Sequence, residues 1–208
     1  MAGGRFRAVI FDIGRVLVRV DVARAMRGLA DGIPLAPEEI WPAIEKDPRW
    51  PDWQEGRIGP RDWHLHLTKR LGGKLSFEEF REAWNRALDP NPLQEDGLFE
   101  KLGKQCRIGL LSNTDPLHVE HMERTFSFFR YVPAGARIYS CSVGASKPNP
   151  VIYQRALRAM KAKATEAVFV DDIEANVEAA KSLGMTGVCC RDPQGLSREL
   201  AAAGVDFG

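Results

Sequence analysis

The sequence predicts an α/β fold, a doubly wound parallel sheet with a helical segment inserted after its first strand. Three observations carry this expectation. Short apolar runs rich in branched and aromatic residues occur at Ala8–Phe11, Cys106–Leu111 and Ala167–Val170, which is how strands buried on both faces of a parallel sheet read. From Leu93 onward such runs alternate with helical patterning, the βα repeat of a parallel sheet. Residues 21–91 show helical spacing throughout. Residues 1–20 and 92–208 are therefore expected to form the α/β core, and 21–91 an all-helical unit.

The first strand ends in Asp12, with Gly14 in the turn that follows. In residues 21–31, Val22, Ala25, Met26 and Leu29 fall at helical spacing. Prolines 34, 37, 48, 51 and 60 break the next stretch into short pieces. Ser76 with Glu79 three residues on is a capping box, and the helix it opens runs to about Leu88. Asp89-Pro90-Asn91-Pro92 ends that helix and reads as a boundary. A helix follows over 93–103, then the strand Cys106–Leu111, then a helix with Pro116 in its first turn. The aromatic run Phe126–Tyr131 reads as a buried loop, and Arg137–Ser142 as a strand. Asn149 and Pro150 start a helix whose apolar face carries Val151, Leu157 and Met160. After the strand Ala167–Val170 come a helix over Ile173–Leu183, stopped by Gly184, and a last strand at Thr186–Cys190.

Composition bounds the function. A chain of 208 residues, 44% hydrophobic, supports an ordinary packed core. A net charge of +1 gives nucleic-acid binding no bulk electrostatic support. No apolar run is long enough to span a bilayer, and MAGGRFRAVIFD does not read as a signal peptide, because its short apolar run leads straight into an acid. The four cysteines, Cys106, Cys141, Cys189 and Cys190, lie in or beside strand-like runs without a CxxC spacing. They read as reduced, buried small side chains of a cytoplasmic protein.

Chemistry in open α/β sheets collects beyond the carboxyl ends of the strands. Asp12 sits at such an end, and so do Ser112-Asn113 and Asp171-Asp172; Lys147 stands between Ser146 and Pro148. Together they offer a nucleophile, a hydroxyl, a cation and an acid pair suited to a metal. Asp171-Asp172 could also begin a helix, where acids are favoured, but the lysine and the second acid elsewhere favour a site. With FDIGRVLV, LLSNT, SKPNP and VFVDDIEAN in that order, the chain resembles the haloacid dehalogenase superfamily of hydrolases. Within it the chain is similar to small bacterial sugar-phosphate phosphatases of the alpha-glucose-1-phosphate type and to the phosphatase domain joined to mammalian epoxide hydrolases.

The resemblance implies a Rossmann-like core, a small helical cap over the site, and Mg²⁺-dependent hydrolysis of a small phosphorylated metabolite, a sugar phosphate foremost, by a monomer or homodimer. Phosphoryl transfer needs an in-line nucleophile and neutralisation of the phosphoryl oxygens. Asp12 is expected as the nucleophile that becomes an aspartyl-phosphate. Asp12, the Gly14 carbonyl and Asp172 are the expected metal ligands, with Asp171 beside them and Asn176 in support. Ser112, the Asn113 N–H and Lys147 are expected to hold the phosphoryl oxygens. All five tryptophans, 41, 50, 53, 63 and 84, fall in the helical insert. Trp63 and Trp84 are expected to pack it, whereas Trp50 and Trp53 flank Pro51-Asp52 in a loop-like stretch and could stack on a sugar face. Arg24, Gln54 and Arg57 are unranked candidates for substrate contacts. His118 and His121, three apart, read as a solvated face rather than a metal pair.

One position departs from the family pattern. Most phosphatases of this kind carry Asp two residues after the nucleophile, as the acid that protonates the leaving alcohol; here it is Gly14. The glucose-1-phosphate phosphatases, by resemblance, share this glycine. Arg15 beside it is expected to face solvent. Two other readings stay open: a 2-haloacid dehalogenase, whose aspartate attacks carbon without a metal, and a catalytically weak binding protein.

Overall fold

In the computed structural model, which describes residues 5–205, the chain begins with strand β1 (Ala8–Phe11), whose four side chains are wholly buried. Strand β2 (Val18–Val20) leads into helices α1 (Val22–Leu29), α2 (Pro37–Glu45), α3 (Trp50–Gln54), α4 (Pro60–Leu71) and α5 (Phe77–Asn85), and the chain returns through β3 (Leu88–Pro92). There follow α6 (Asp96–Gln105), β4 (Arg107–Ser112), α7 (Pro116–Thr125), β5 (Arg137–Tyr139) and the short α8 (Ser140–Val143). The chain closes with α9 (Pro150–Met160), β6 (Ala167–Asp171), α10 (Glu174–Ser182), β7 (Thr186–Cys189) and α11 (Leu196–Ala202).

The main sheet has the order β5-β4-β1-β6-β7, and every pairing in it is parallel. The predicted α/β class is thus the observed one. Strand β1 is central because its run AVIF has no polar side chain to present to either face. Its neighbours β4 and β6 leave it in opposite directions along the sheet. The carboxyl ends of all three strands therefore meet at one switch point.

The apolar side chains form two clusters. One surrounds the main sheet; the other gathers the buried faces of α1, α2, α4 and α5 around Trp53, Trp63, Phe80 and Trp84. Leu117 of α7 belongs to the second cluster, so the α/β part supplies an apolar contact to the helical insert.

Three segments differ from their sequence reading. Asp89-Pro90-Asn91-Pro92 is not a bare boundary: Leu88–Pro92 pairs antiparallel with β2, so the insert is entered and left through a two-stranded ribbon. Proline stops a helix for want of an N–H, yet its fixed φ suits a strand whose outer edge needs no donor. The strand read at Arg137–Ser142 ends at Tyr139, and Ser140–Val143 turns into a helix capped by left-handed Gly144. There the Ser140 hydroxyl accepts the Thr114 N–H (2.9 Å) and lies 2.7 Å from the Gln54 carbonyl, bonds a strand geometry would not reach. Phe126–Tyr131 is a 3₁₀ turn from Ser127 on, with Phe126, Phe128 and Phe129 buried as expected.

All four cysteines are free. Among the described residues no helix is long and apolar enough to cross a membrane.

Gly56, between α3 and α4, has φ +70°, and a Cβ there would stand 1.9 Å from the carbonyl oxygen of Cys141 in α8. The contact presses the insert against the α/β part, and neither backbone can yield cheaply. Gly56→Ala is expected to cost about 3 kcal/mol or more, combining left-handed strain with a backbone clash. Thermal denaturation of the variant beside Gly97→Ala, at a position where a Cβ meets nothing within 4 Å, checks it.

Candidate active site

Asp12 leaves the end of β1 with its N–H donated to the Val170 carbonyl of β6 (2.8 Å). This bond continues the ladder one residue past the strand and aims the carboxylate over the sheet edge. Lys147 reaches the same point from the loop before α9: its Nζ lies 2.9 Å from Asp12 and donates to Asp171 at 2.6 Å. The Lys147 backbone is clamped to the loop after β4, since Asn113 Nδ2 donates to its carbonyl (2.9 Å) and its N–H donates to Asn113 Oδ1 (2.7 Å). Asp171 also accepts the Ile173 N–H (2.8 Å) and Asn176 Nδ2 on both oxygens (3.1 Å). Asn176 thus holds the Asp171 carboxylate in place.

Two sequence candidates that look alike separate here. Asp171 is wholly buried and spends its oxygens on Lys147, Asn176 and the backbone. Asp172 is partly exposed and faces a 160 Å³ pocket with Asp12, Gly14, Ser112, Asn113 and Lys147. Arg15, at φ +59°, sends its guanidinium out beside Asp172 (3.6 Å) while remaining largely in solvent. Its expected exposure holds, but at the mouth of the pocket rather than away from it.

Oxygens of Asp12, Asp171 and Asp172 come within 4.8 Å of one another. Three carboxylates against Lys147 and Arg15 leave one net negative charge. Burial pushes Asp12 up to about 6; Lys147 opposes that push and Asp171 adds to it. Asp172 is raised as well, by burial and then by Asp171. Burial would strip the Lys147 proton, but the Asp12 and Asp171 carboxylates outweigh it and hold the ammonium above the ordinary lysine range. Hard oxygen donors, crowded and short of positive charge, suit a small divalent cation.

Beyond this pocket, sharing Val20 and Asn113 with it, opens a 220 Å³ chamber between the insert and the α/β part. Its walls are chiefly apolar: Val22, Ala25 and Met26 of α1, then Trp41, Trp50 and Trp84. Trp50 lines it from the start of helix α3 rather than from a loop. Trp53 does not line it. Its ring is fully buried and stacked on Trp63 (5.7 Å, 8° between planes), because the one-turn helix turns it inward. The expectation of Trp53 as a substrate platform is corrected. Of the other unranked candidates, Gln54 lines the chamber, whereas Arg24 and Arg57 line neither cavity, Arg57 being bonded to Asp52 and Glu55.

His118 is also corrected. It is not on a solvated face but partly buried in the chamber wall, with Nδ1 3.0 Å from Asp115. Sequence reading passed over Asp115, although an acid directly before a first-turn proline is an N-cap signal, and Asp115 does accept the N–H groups of Leu117 and His118.

The haloacid dehalogenase-like hydrolase family profile matches residues 6–184. The chain belongs to this family. This haloacid dehalogenase-like hydrolase is 44% identical to rat bifunctional epoxide hydrolase 2 over 93% of its own length, spanning 38% of that longer protein. It is 25% identical to D-ribitol-5-phosphate phosphatase of Bacteroides thetaiotaomicron (85% of this chain, 87% of that one) and 26% identical to a sesquiterpene phosphatase of Aspergillus oryzae (94% and 95%). A Bacteroides thetaiotaomicron enzyme of the family, crystallised with magnesium and inorganic phosphate, superposes with a TM-score of 0.78 at 24% identity, covering 88% of this chain and 92% of its own.

The charge balance has a consequence for stability. The folded Asp12 carboxyl, at about 6, sits above its unfolded value of ~3.9. The folded state binds that proton more tightly, so stability present below about pH 4 is lost as pH rises toward 6. Asp12→Asn removes the buried charge. It is expected to stabilise the metal-free protein at neutral pH by up to about 3 kcal/mol, at ~1.4 kcal/mol for each pH unit between the two values. Denaturant unfolding in EDTA at acid and neutral pH checks it, the gain shrinking toward pH 4.

Proposed function

We propose that this chain is a Mg²⁺-dependent phosphatase acting on a small phosphate monoester through an aspartyl-phosphate on Asp12. The observation that carries the reading is the Asp12–Lys147–Asp171 arrangement with Asp172 facing the same pocket. The relatives named as phosphatases support it.

In this reading an Asp12 oxygen attacks phosphorus in line, the ester P–O bond breaks, and the alcohol leaves with its electron pair, taking a proton from solvent. Water then attacks phosphorus, the bond to Asp12 breaks, and the carboxylate is restored. Lys147 offsets charge on the transferring group at close range. Ser112 and the Asn113 N–H hold the equatorial oxygens, and Asn176 keeps Asp171 set so that Lys147 does not drift. Asp12, Asp172 and the Gly14 carbonyl would hold Mg²⁺, which would supply positive charge to offset the repulsion between a carboxylate and a phosphate dianion. Asp171 takes no ligand role in this assignment, because its oxygens are already bonded.

The organic part of the ester has the tryptophan-lined chamber to occupy. Its polar groups are mostly committed: Asp115 and His118 to each other and to Trp84, the Thr114 N–H to Ser140. A sugar ring there would leave hydroxyls unpaired at roughly 1–3 kcal/mol each, whereas apolar carbon gains about 25 cal/mol per Å² covered. An aliphatic or aromatic alcohol therefore suits the chamber better than the sugar phosphate expected from sequence. Between the two kinds of substrate named for the relatives, the walls favour the terpenoid kind.

Phosphate release from acetyl phosphate, hexyl phosphate and glucose 1-phosphate, with Mg²⁺ and with EDTA, tests this. Expected are Mg²⁺-dependent turnover, preference for hexyl over glucosyl phosphate, loss of activity in Asp12→Asn, and a phosphate adduct on Asp12 by mass spectrometry. Halide release from a 2-haloacid in EDTA without phosphate release would favour the dehalogenase reading instead. Gly14→Asp has room, a Cβ meeting only Val20 at 3.4 Å. It is expected to raise turnover of hexyl phosphate, toward the roughly 10²–10⁴-fold that acid–base help supplies.

A further inference from the structure

The chamber wall contains a charge pair, a buried Asp115 and a partly buried His118, that the proposed chemistry does not use. Asp115 is 1% exposed and takes four donors: the N–H groups of Leu117 and His118 on one oxygen, and on the other the Trp84 indole N–H (3.0 Å) and His118 Nδ1 (3.0 Å). His118 Nε2 lies 3.2 Å from the Trp84 backbone carbonyl, and its ring stacks on the Trp84 ring at 5.7 Å. One tryptophan of α5 is thus gripped at its indole, its ring face and its backbone by the first turn of α7. That turn follows directly on Ser112-Asn113-Thr114. Trp53 and Trp63, packed deeper in the insert, have no partner for their indole N–H groups. The bond at Trp84 is therefore not a general requirement for burying tryptophan in this insert.

We propose that Asp115 and His118 are positioning residues that hold Trp84, and with it the insert's wall of the chamber, against the phosphate-binding loop, and so set affinity for the organic part of the ester. The inference rests on the phosphatase reading of the pocket. The physical case is the imbalance left when either partner goes. Without His118, Asp115 is a buried carboxylate short of a charged donor; without Asp115, the Trp84 indole and the imidazole both lose their acceptor. In either case the wall is free to shift, whereas Asp12 and Asp171 keep their own bonds at the ends of β1 and β6.

The pair also makes the wall sensitive to pH. Burial disfavours the imidazolium, but Asp115 and the bond to it outweigh burial and hold His118 above its ordinary range. Burial likewise works against the Asp115 charge, and His118 with its hydrogen bonds outweighs it, so the carboxyl sits below its ordinary range. Two other titratable groups lie nearby. His121, one turn along α7, is lowered by burial and by His118, and Cys141 of α8 is pushed up to about 11 by burial. A group with a raised pKa contributes its full stabilisation below its unfolded value and loses it as pH rises through the folded one. The grip should loosen on the alkaline side.

Calorimetric binding of hexylphosphonate and methylphosphonate to the Mg²⁺-loaded protein, from slightly acid to alkaline pH, tests this. The ratio of the two dissociation constants isolates the contribution of the chain. It is expected to shrink by roughly tenfold in His118→Ala, the scale of one lost buried hydrogen bond, and to fall with rising pH in the unaltered protein. His118→Gln, which keeps a donor toward the Trp84 carbonyl, should retain most of the ratio but lose its pH dependence. An unchanged ratio in His118→Gln together with an unchanged pH dependence overturns the proposal even if His118→Ala does not fold. So does a pH-independent ratio in the unaltered protein. Absence of phosphate release from acetyl phosphate with an intact phosphonate ratio would instead sink the phosphatase reading and leave the grip on Trp84 standing.

Discussion

The Lys147 ammonium, bonded to Asp12 and Asp171 in a site almost closed to water, is the contact on which the rest of this structure depends. The ammonium offsets much of the cost of burying the two carboxylates, and they in turn keep it charged at that depth. Each of the three comes from a different part of the chain, and each has its own backbone anchor: the β6 ladder for Asp12, Asn113 for Lys147, the start of α10 for Asp171. The parallel sheet matters to function because it brings these anchors to one edge. The charge balance remains one positive charge short of comfort, and that deficit is what suits the pocket to a cation.

The insert is organised on a different principle. Its second cluster of apolar side chains is built from aromatic rings, and it meets the α/β part at a few points of contrasting chemistry. Gly56 lies against the Cys141 carbonyl, Ser140 reaches the Gln54 carbonyl, Leu117 enters the insert's apolar cluster, and Asp115 with His118 holds Trp84. The chamber is the gap these contacts leave open. Its walls come mostly from the insert, whereas the Asp12, Asp171 and Asp172 carboxylates come from the ends of the sheet's strands. Changes in the insert can therefore alter what binds without disturbing Asp12.

Much of this was legible in the amino-acid string. The run AVIF followed by Asp12, the LLSN and VFVDD segments, and Lys147 before a proline each carry their own signal, since an apolar run that stops at a polar residue marks a strand end. The capping box at Ser76 formed as its spacing requires, with Glu79 returning the bond. The misreadings share a cause. Trp53 and His118 were placed by the look of their neighbours, and a one-turn helix or a polar helix start says little about which way a side chain turns. Asp89–Pro92 reads as a boundary because its prolines exclude a helix, though they do not exclude an edge strand. Ser140 reads as part of a strand because nothing local announces that its hydroxyl will find Thr114 and Gln54.

By itself the sequence determined the class of fold, the run of helices after the first strand and which polar residues stand at the strand ends. Those properties follow from periodicity, strand-end chemistry and residue type, all of which act over a few neighbouring positions. Only the tertiary structure decided which of two adjacent acids faces the pocket, which tryptophan lines the chamber, and that His118 turns inward against an acid. These depend on contacts between residues tens of positions apart, where packing and the need to pair every buried charge choose among orientations that are locally equivalent.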